Sequence, residues 1–132
     1  PLLADYSPCK LTTNVPQLEH LPLQVYPNRV HLTPLLEVVK WPAGGYLQLE
    51  FDDAYRIPGT RLNFDVKGDL SWGVMEVSAD GETWQTVALT RDTRGRLNGK
   101  WEDAPVKFVR FTNTGEGEQQ VYLREFYVVF SL

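Results

Sequence analysis

The stretch Gly73–Leu89 constrains this chain most. Two runs rich in β-formers flank Ser78-Ala79-Asp80-Gly81-Glu82-Thr83. Asp-Gly is a strong turn signal, because glycine accepts positive φ and aspartate bonds to nearby backbone. Met75 and Val77 share one face of the first run, and Val87 and Leu89 one face of the second. This period of two predicts a hairpin with a buried side. Trp84, at the start of the return strand, is expected in the core beside the turn. Such a hairpin is marginal alone, so the rest of the chain must cover it.

The covering material is available. The chain has 132 residues, 42% of them hydrophobic and 12% aromatic, enough for one domain with a short extension. Lys and Arg number 13 against 17 Asp and Glu, a net charge of -4 with no basic run. That balance argues against nucleic acid and anionic lipid as partners. Apolar runs are too short for membrane insertion, and no segment resembles a signal peptide. Pro1 in place of Met reads as a piece of a longer protein, in which a secretory signal would lie upstream. The single Cys9 has no internal disulfide partner.

Further strands follow from the same period. Residues 1–23 carry Pro1, Pro8, Pro16 and Pro22 among polar residues, and read as an extended linker or lead-in from a preceding domain. Leu18, Leu21 and Leu23 are its candidates for packing on the module, which is expected to span residues 24–132. Tyr26-Pro27-Asn28-Arg29 is a turn, followed by a short strand at Val30–Leu32. Glu37–Trp41 is another short apolar run, stopped by Pro42 and Gly44-Gly45. In Tyr46–Phe51, Leu47, Leu49 and Phe51 alternate with Tyr46, Gln48 and Glu50. Asp52–Thr60 reads as a loop, Arg61–Val66 as a strand and Lys67–Trp72 as a second loop. Thr90–Lys100 is a polar excursion with a short strand near Leu97. Val106–Thr112 is apolar on both faces and so central; Val121–Phe130 closes the chain. No segment carries a helical period. Short strands with turn signals between them predict an all-β fold, an antiparallel sandwich or barrel.

Three segments in order resemble discoidin-like (coagulation factor type C) modules. They are Tyr46–Phe51 with Ile57 and Leu62, the Val-Ser-x-Asp-Gly-x-x-Trp run Val77–Trp84, and Phe108–Phe111 with Leu123–Phe126. The resemblance implies a galactose-binding-like β-sandwich of jelly-roll type, whose relatives include carbohydrate-binding modules of family 32. A narrower resemblance lies in Leu18–Gln24, Glu37–Trp41 and Ala104–Asn113. These are similar to the C-terminal module of Bacteroides-type glycoside hydrolase family 84 enzymes, which remove β-linked N-acetylglucosamine and some of which are labelled hyaluronidases. That resemblance implies a catalytic barrel in cis as partner, a non-catalytic role for this chain, and export to the periplasm or cell surface. Family 32 modules use an Asp, Gly and Thr loop to hold calcium. Here His31–Glu37 lacks that cluster and Glu125 stands without recognisable partners, so no metal and no cofactor is implied.

The remaining candidates are set against plainer assignments. Asp52-Asp53 matches the paired aspartates of family 84 catalysis in type, but adjacency supplies neither cleft nor tuned acidity, and a solvated turn pair is commoner. Ser71, Ser78 and His31 form no nucleophile motif, and His20 and His31 are too isolated for zinc. Trp41, Trp72 and Trp101 close loops or turns and are the candidates for a sugar-stacking platform, with Arg94 and Arg96 as hydrogen-bonding partners. The plainer assignment is aromatic lids on the sandwich or contacts with the parent enzyme. Arg110 and Arg124, on apolar strands, are expected to pair with Glu125 or another acid. Two functions stand. One is an accessory module packing on its own hydrolase, with its aromatics buried or on a flat apolar face. The other is an independent module for N-acetylglucosamine- or galactose-containing glycans, with an exposed aromatic beside Arg, Asn or His.

Overall fold

The computed structural model describes residues 9–20, 23–26, 29–32, 37–56, 62–67, 70–101 and 104–129. Eleven strands follow in order: β1 (Cys9–Thr13), β2 (Leu23–Tyr26), β3 (Arg29–Leu32), β4 (Val39–Trp41), β5 (Tyr46–Arg56) and β6 (Leu62–Lys67), then β7 (Gly73–Ser78), β8 (Gln85–Arg91), β9 (Leu97–Lys100), β10 (Pro105–Asn113) and β11 (Gln119–Val129). One 3-10 turn, Pro16–Leu18, is the sole helical element among the described residues. The fold is the expected all-β antiparallel sandwich.

One sheet runs β1-β5-β10-β7-β8, and the other runs β8-β9-β6-β11-β3-β2 with β4 on the first residues of β11. Strand β8 belongs to both sheets. Gln85–Val87 pairs with β7, and Ala88–Arg91 pairs with β9. A strand that changes sheets makes a corner and closes the sandwich along one side. The organising hairpin is present as read, with Met75 opposite Val87 and both buried. Gly81 in its turn has φ near 81°, a conformation that costs glycine little.

The alternation in β5 decides the interior. Leu47, Leu49 and Phe51 are buried and meet Val109, Phe111, Met75 and Val77 of the same sheet and Leu123, Phe126 and Val128 of the other in one core. Strand β10 lies between β5 and β7, the central place its two apolar faces predict. Its pairing with β5 is irregular: Val106 faces Tyr55 and Phe108 faces Glu50, so β5 advances five residues while β10 advances two. Such a bulge re-aims the side chains around it. Val106 is buried, and Phe108 is turned toward the outer face.

Two boundaries differ from the sequence reading. The lead-in assigned to residues 1–23 is part of the body from Cys9 onward. Cys9–Thr13 pairs with β5, and Val15 and Leu18 are fully buried. Thr13 Oγ1 donates to the Tyr46 carbonyl at 2.6 Å, and Asn14 Oδ1 accepts from the Tyr46 N–H at 2.8 Å, which locks this segment to β5. The loop assigned to Asp52–Thr60 starts later, because β5 continues past its bulge to Arg56, where Tyr55 is buried against Phe51. Pro1–Pro8, Pro27-Asn28 and Ile57–Arg61 lie outside the described residues.

Candidate functional site

Burying Leu47, Leu49 and Phe51 forces Tyr46, Gln48 and Glu50 to the other side of the sheet. Cross-strand partners share a face, so the register fixes who stands beside them. One row reads Lys10, Glu50, Phe108, Ser78; the next reads Thr12, Gln48, Arg110, Glu76, Thr86; the third reads Tyr46, Thr112, Val74. The middle strands of this outer face carry half-buried side chains: Tyr46, Gln48, Glu50, Phe108, Arg110, Thr112 and Glu76.

Its centre is Trp84, which stays off the core cluster. The Arg110 guanidinium lies 3.8 Å from the centre of the Trp84 ring, and the Phe108 ring is tilted against the indole at 5.9 Å. A planar cation on an aromatic face is attracted by the ring quadrupole and keeps its in-plane N–H groups for other partners. Arg110 Nη2 donates to Glu76 Oε1 at 3.4 Å, and Nε is buried without a partner among the described residues. The indole N–H donates to the Gly81 carbonyl at 3.2 Å. The turn behind it is rigid. Asp80 Oδ1 accepts the N–H groups of Glu82 and Thr83, and Ser78 Oγ accepts that of Gly81. The Thr83 and Glu82 amides hold the Asp80 carboxyl below the usual carboxylate range. Trp84 is thus fixed from both sides, by its turn and by Arg110.

The residues predicted from sequence fall elsewhere. Trp41 is 0% exposed, so it cannot offer a ring to a sugar. Its indole donates to the Gly45 carbonyl at 2.8 Å and stands edge-on to Phe111 at 5.4 Å. Trp72 is half-buried, 5.3 Å from Phe111 and 6.0 Å from Trp41, in the same aromatic cluster. Trp101 is half-buried against the core. Arg94 is exposed and Arg96 half-buried in the tight turn after β8. There Asp92 Oδ1 accepts both of their N–H groups at 2.8 and 2.9 Å, and Asp92 Oδ2 lies 3.6 Å from Arg96 Nε. Partial burial works against that carboxylate, but the hydrogen bonds from Arg96, Asn98 and Arg94 outweigh it and hold its pKa low.

Trp84 was expected inside and lies instead on the outer face, against Phe108. The period of two contains the signal: Trp84 lies three positions before inward Val87, an odd step, so they take opposite faces. Equally, Trp41 is two residues from Val39 and shares its buried face. Arg110 pairs with an acid as expected, but the acid is Glu76.

One cleft, of about 430 Å³, is lined by Leu70, Met75, Val87, Leu89, Leu97 and Arg91. It is chiefly apolar and has no aromatic wall. A smaller pocket of about 190 Å³ adjoins the candidate face, with Trp84, Ser78, Asp80, Thr83, Gln85 and Pro105 on its walls. Among the described residues no three His, Cys, Asp or Glu side chains converge to hold a metal. Asp52 and Asp53 are exposed in the β5 bulge, where Asp52 Oδ1 accepts the Tyr55 hydroxyl at 2.6 Å.

Cys9 is pushed up to about 12, first by burial and then by the Asp52 carboxylate. The thiolate is the reactive form, so at about pH 8 only about one thiol in ten thousand is reactive. Ellman's reagent is expected to leave the native protein unmodified over minutes and to titrate one thiol after unfolding in guanidinium. Reaction of the native protein at the rate of free cysteine would contradict this.

The model of carbohydrate binding module family 32 matches residues 1–63, just under half of the chain. That half is similar to family 32. It supplies β1 and β5, with Lys10, Thr12, Tyr46, Gln48 and Glu50 of the outer face. Two solved structures are also similar. One is a mutant of the family 29 carbohydrate-binding module CBM29-2 complexed with mannohexaose, 11% identical, covering 92% of this chain and 81% of that one at a TM-score of 0.49. The other is a second CBM29-2 mutant, 12% identical, covering 92% and 85% at 0.45.

Proposed function

We propose that this chain is a non-catalytic carbohydrate-binding module and that the outer face around Trp84 and Arg110 holds the sugar. The observation that carries the reading is the Arg110 guanidinium stacked at 3.8 Å on the half-buried Trp84. Pyranose rings present C–H faces to aromatic rings and vicinal hydroxyls to planar polar groups. Phe108 and the part of the half-buried Trp84 ring left uncovered by Arg110 supply the first, while Arg110, Glu76 and Gln48 supply the second. The similarity of residues 1–63 to family 32 modules supports the same ligand class.

The wider setting proposed is that of an accessory part of an exported family 84-like hydrolase, tethering its catalytic domain to N-acetylglucosamine- or galactose-containing chains. The stretch before Cys9 would lead from that domain. The support is the sequence resemblance of Leu18–Gln24, Glu37–Trp41 and Ala104–Asn113.

A glycan array followed by calorimetry tests the binding role. Trp84→Ala is expected to weaken binding about tenfold or more, the equivalent of about 1.4 kcal/mol, while circular dichroism shows the fold retained. Silence across the array, or unchanged affinity in the folded variant, would overturn the reading.

A further inference from the structure

We infer that the ligand of this face is an extended, uncharged chain of sugar units lying along β10, with Tyr46 as its far contact. This rests on the sugar-binding reading above and adds the shape, charge and second anchor of the ligand.

The register carries the length. Tyr46 stands opposite Thr112, and Glu50 opposite Phe108. The two aromatic positions are therefore four residues apart along the strands, about 14 Å at about 3.4 Å per residue, the reach of about three linked pyranose rings. Between them lie Arg110 and Gln48, with Thr112 beside Tyr46, all half-buried and all able to hydrogen-bond hydroxyls. A single sugar over Trp84 would leave Tyr46 untouched. A sheet face is open along its strands, so a chain is free to enter and leave at both ends.

The charge on the face carries the second part. Lys10 stands opposite Glu50, and Arg110 opposite Glu76 at 3.4 Å. Lys107 Nζ lies 5.7 Å from the Phe108 ring. The paired rows thus carry two cations, Lys10 and Arg110, against two carboxylates, Glu50 and Glu76, and present no excess positive charge to attract uronates or sulfates.

Calorimetry with linear oligomers of N-acetylglucosamine and of galactose, from one unit to six, tests this, with hyaluronan fragments as the charged comparison. Affinity is expected to rise about tenfold or more from one unit to four and then level off. Tyr46→Ala should remove that gain while leaving the one-unit and two-unit ligands unchanged, and Tyr46→Phe should restore it. Trp84→Ala should weaken every length. The Tyr46 backbone keeps its bonds to Thr13 and Asn14 in either variant, and thermal melting confirms that the fold is retained. Full affinity from one unit, indifference of the four-unit ligand to Tyr46→Ala, or tighter binding of hyaluronan fragments would overturn this inference and leave the carbohydrate reading standing. Absence of binding by every oligomer would overturn both.

Discussion

Replacing Asn113 with alanine is expected to lower the folding free energy by about 2–4 kcal/mol. Asn113 is fully buried at the end of β10. Its Nδ2 donates to the carbonyls of Trp41 at 3.1 Å and Gly117 at 3.0 Å, and its Oδ1 accepts the Gly115 N–H at 2.9 Å. Its backbone N–H donates to Gly45 O, and its carbonyl accepts from Gly44 N. One residue therefore ties the β4–β5 turn to the loop between β10 and β11. Alanine keeps the backbone bonds and orphans three groups. Water can reach Gly117, which is exposed, but the Trp41 carbonyl sits in the core and keeps its full desolvation penalty. Urea unfolding with an unchanged slope would report the loss as a lower midpoint. A shift below about 1 kcal/mol would show that the two turns hold each other without this side chain.

Asn113 also shows which parts of this fold the sequence can display. Strand β5 and the β7–β8 hairpin are legible because a period of two is a local signal, readable without knowing the partner strand. The edge strand β1 is not. Lys10 and Thr12 are exposed, and Pro16 interrupts the pattern shortly afterwards. Burial of Val15 and Leu18 is decided by β5 and the rest of the core, far away in the chain. The β5 bulge is equally hidden. Nothing local to Asp52-Asp53 announces that five residues of β5 will be spanned by two of β10, and that irregularity turns Phe108 outward. The candidate face depends on such long-range pairings. Arg110 meets Glu76 across 34 residues, and it meets Trp84 only because β10 lies beside the hairpin. A ranking of tryptophans by their distance from turns misses this. It left Trp41 a candidate for the surface and put Trp84 inside, whereas counting each in steps of two from a buried valine places both correctly.

Trp41→Ala is expected to cost about 3–5 kcal/mol, the range for deleting a fully buried large aromatic. The cavity it leaves has little means of collapsing. Phe111 is held edge-on by Trp72 at 5.3 Å, and its ring tip lies so close to Gly73 that a Cβ added there would collide with it. The indole hydrogen bond to Gly45 would be lost as well, loosening the turn that Asn113 holds. Stability and binding should then separate by residue. Below its lowered melting temperature, folded Trp41→Ala protein should bind sugar with wild-type affinity, since the ring touches neither Trp84 nor the outer rows. Trp84→Ala should do the reverse, keeping most of the stability and losing the ligand. A folded Trp41→Ala protein that had lost binding would move the site away from the sheet face, to the end of the sandwich where Trp41, Trp72 and Phe111 meet.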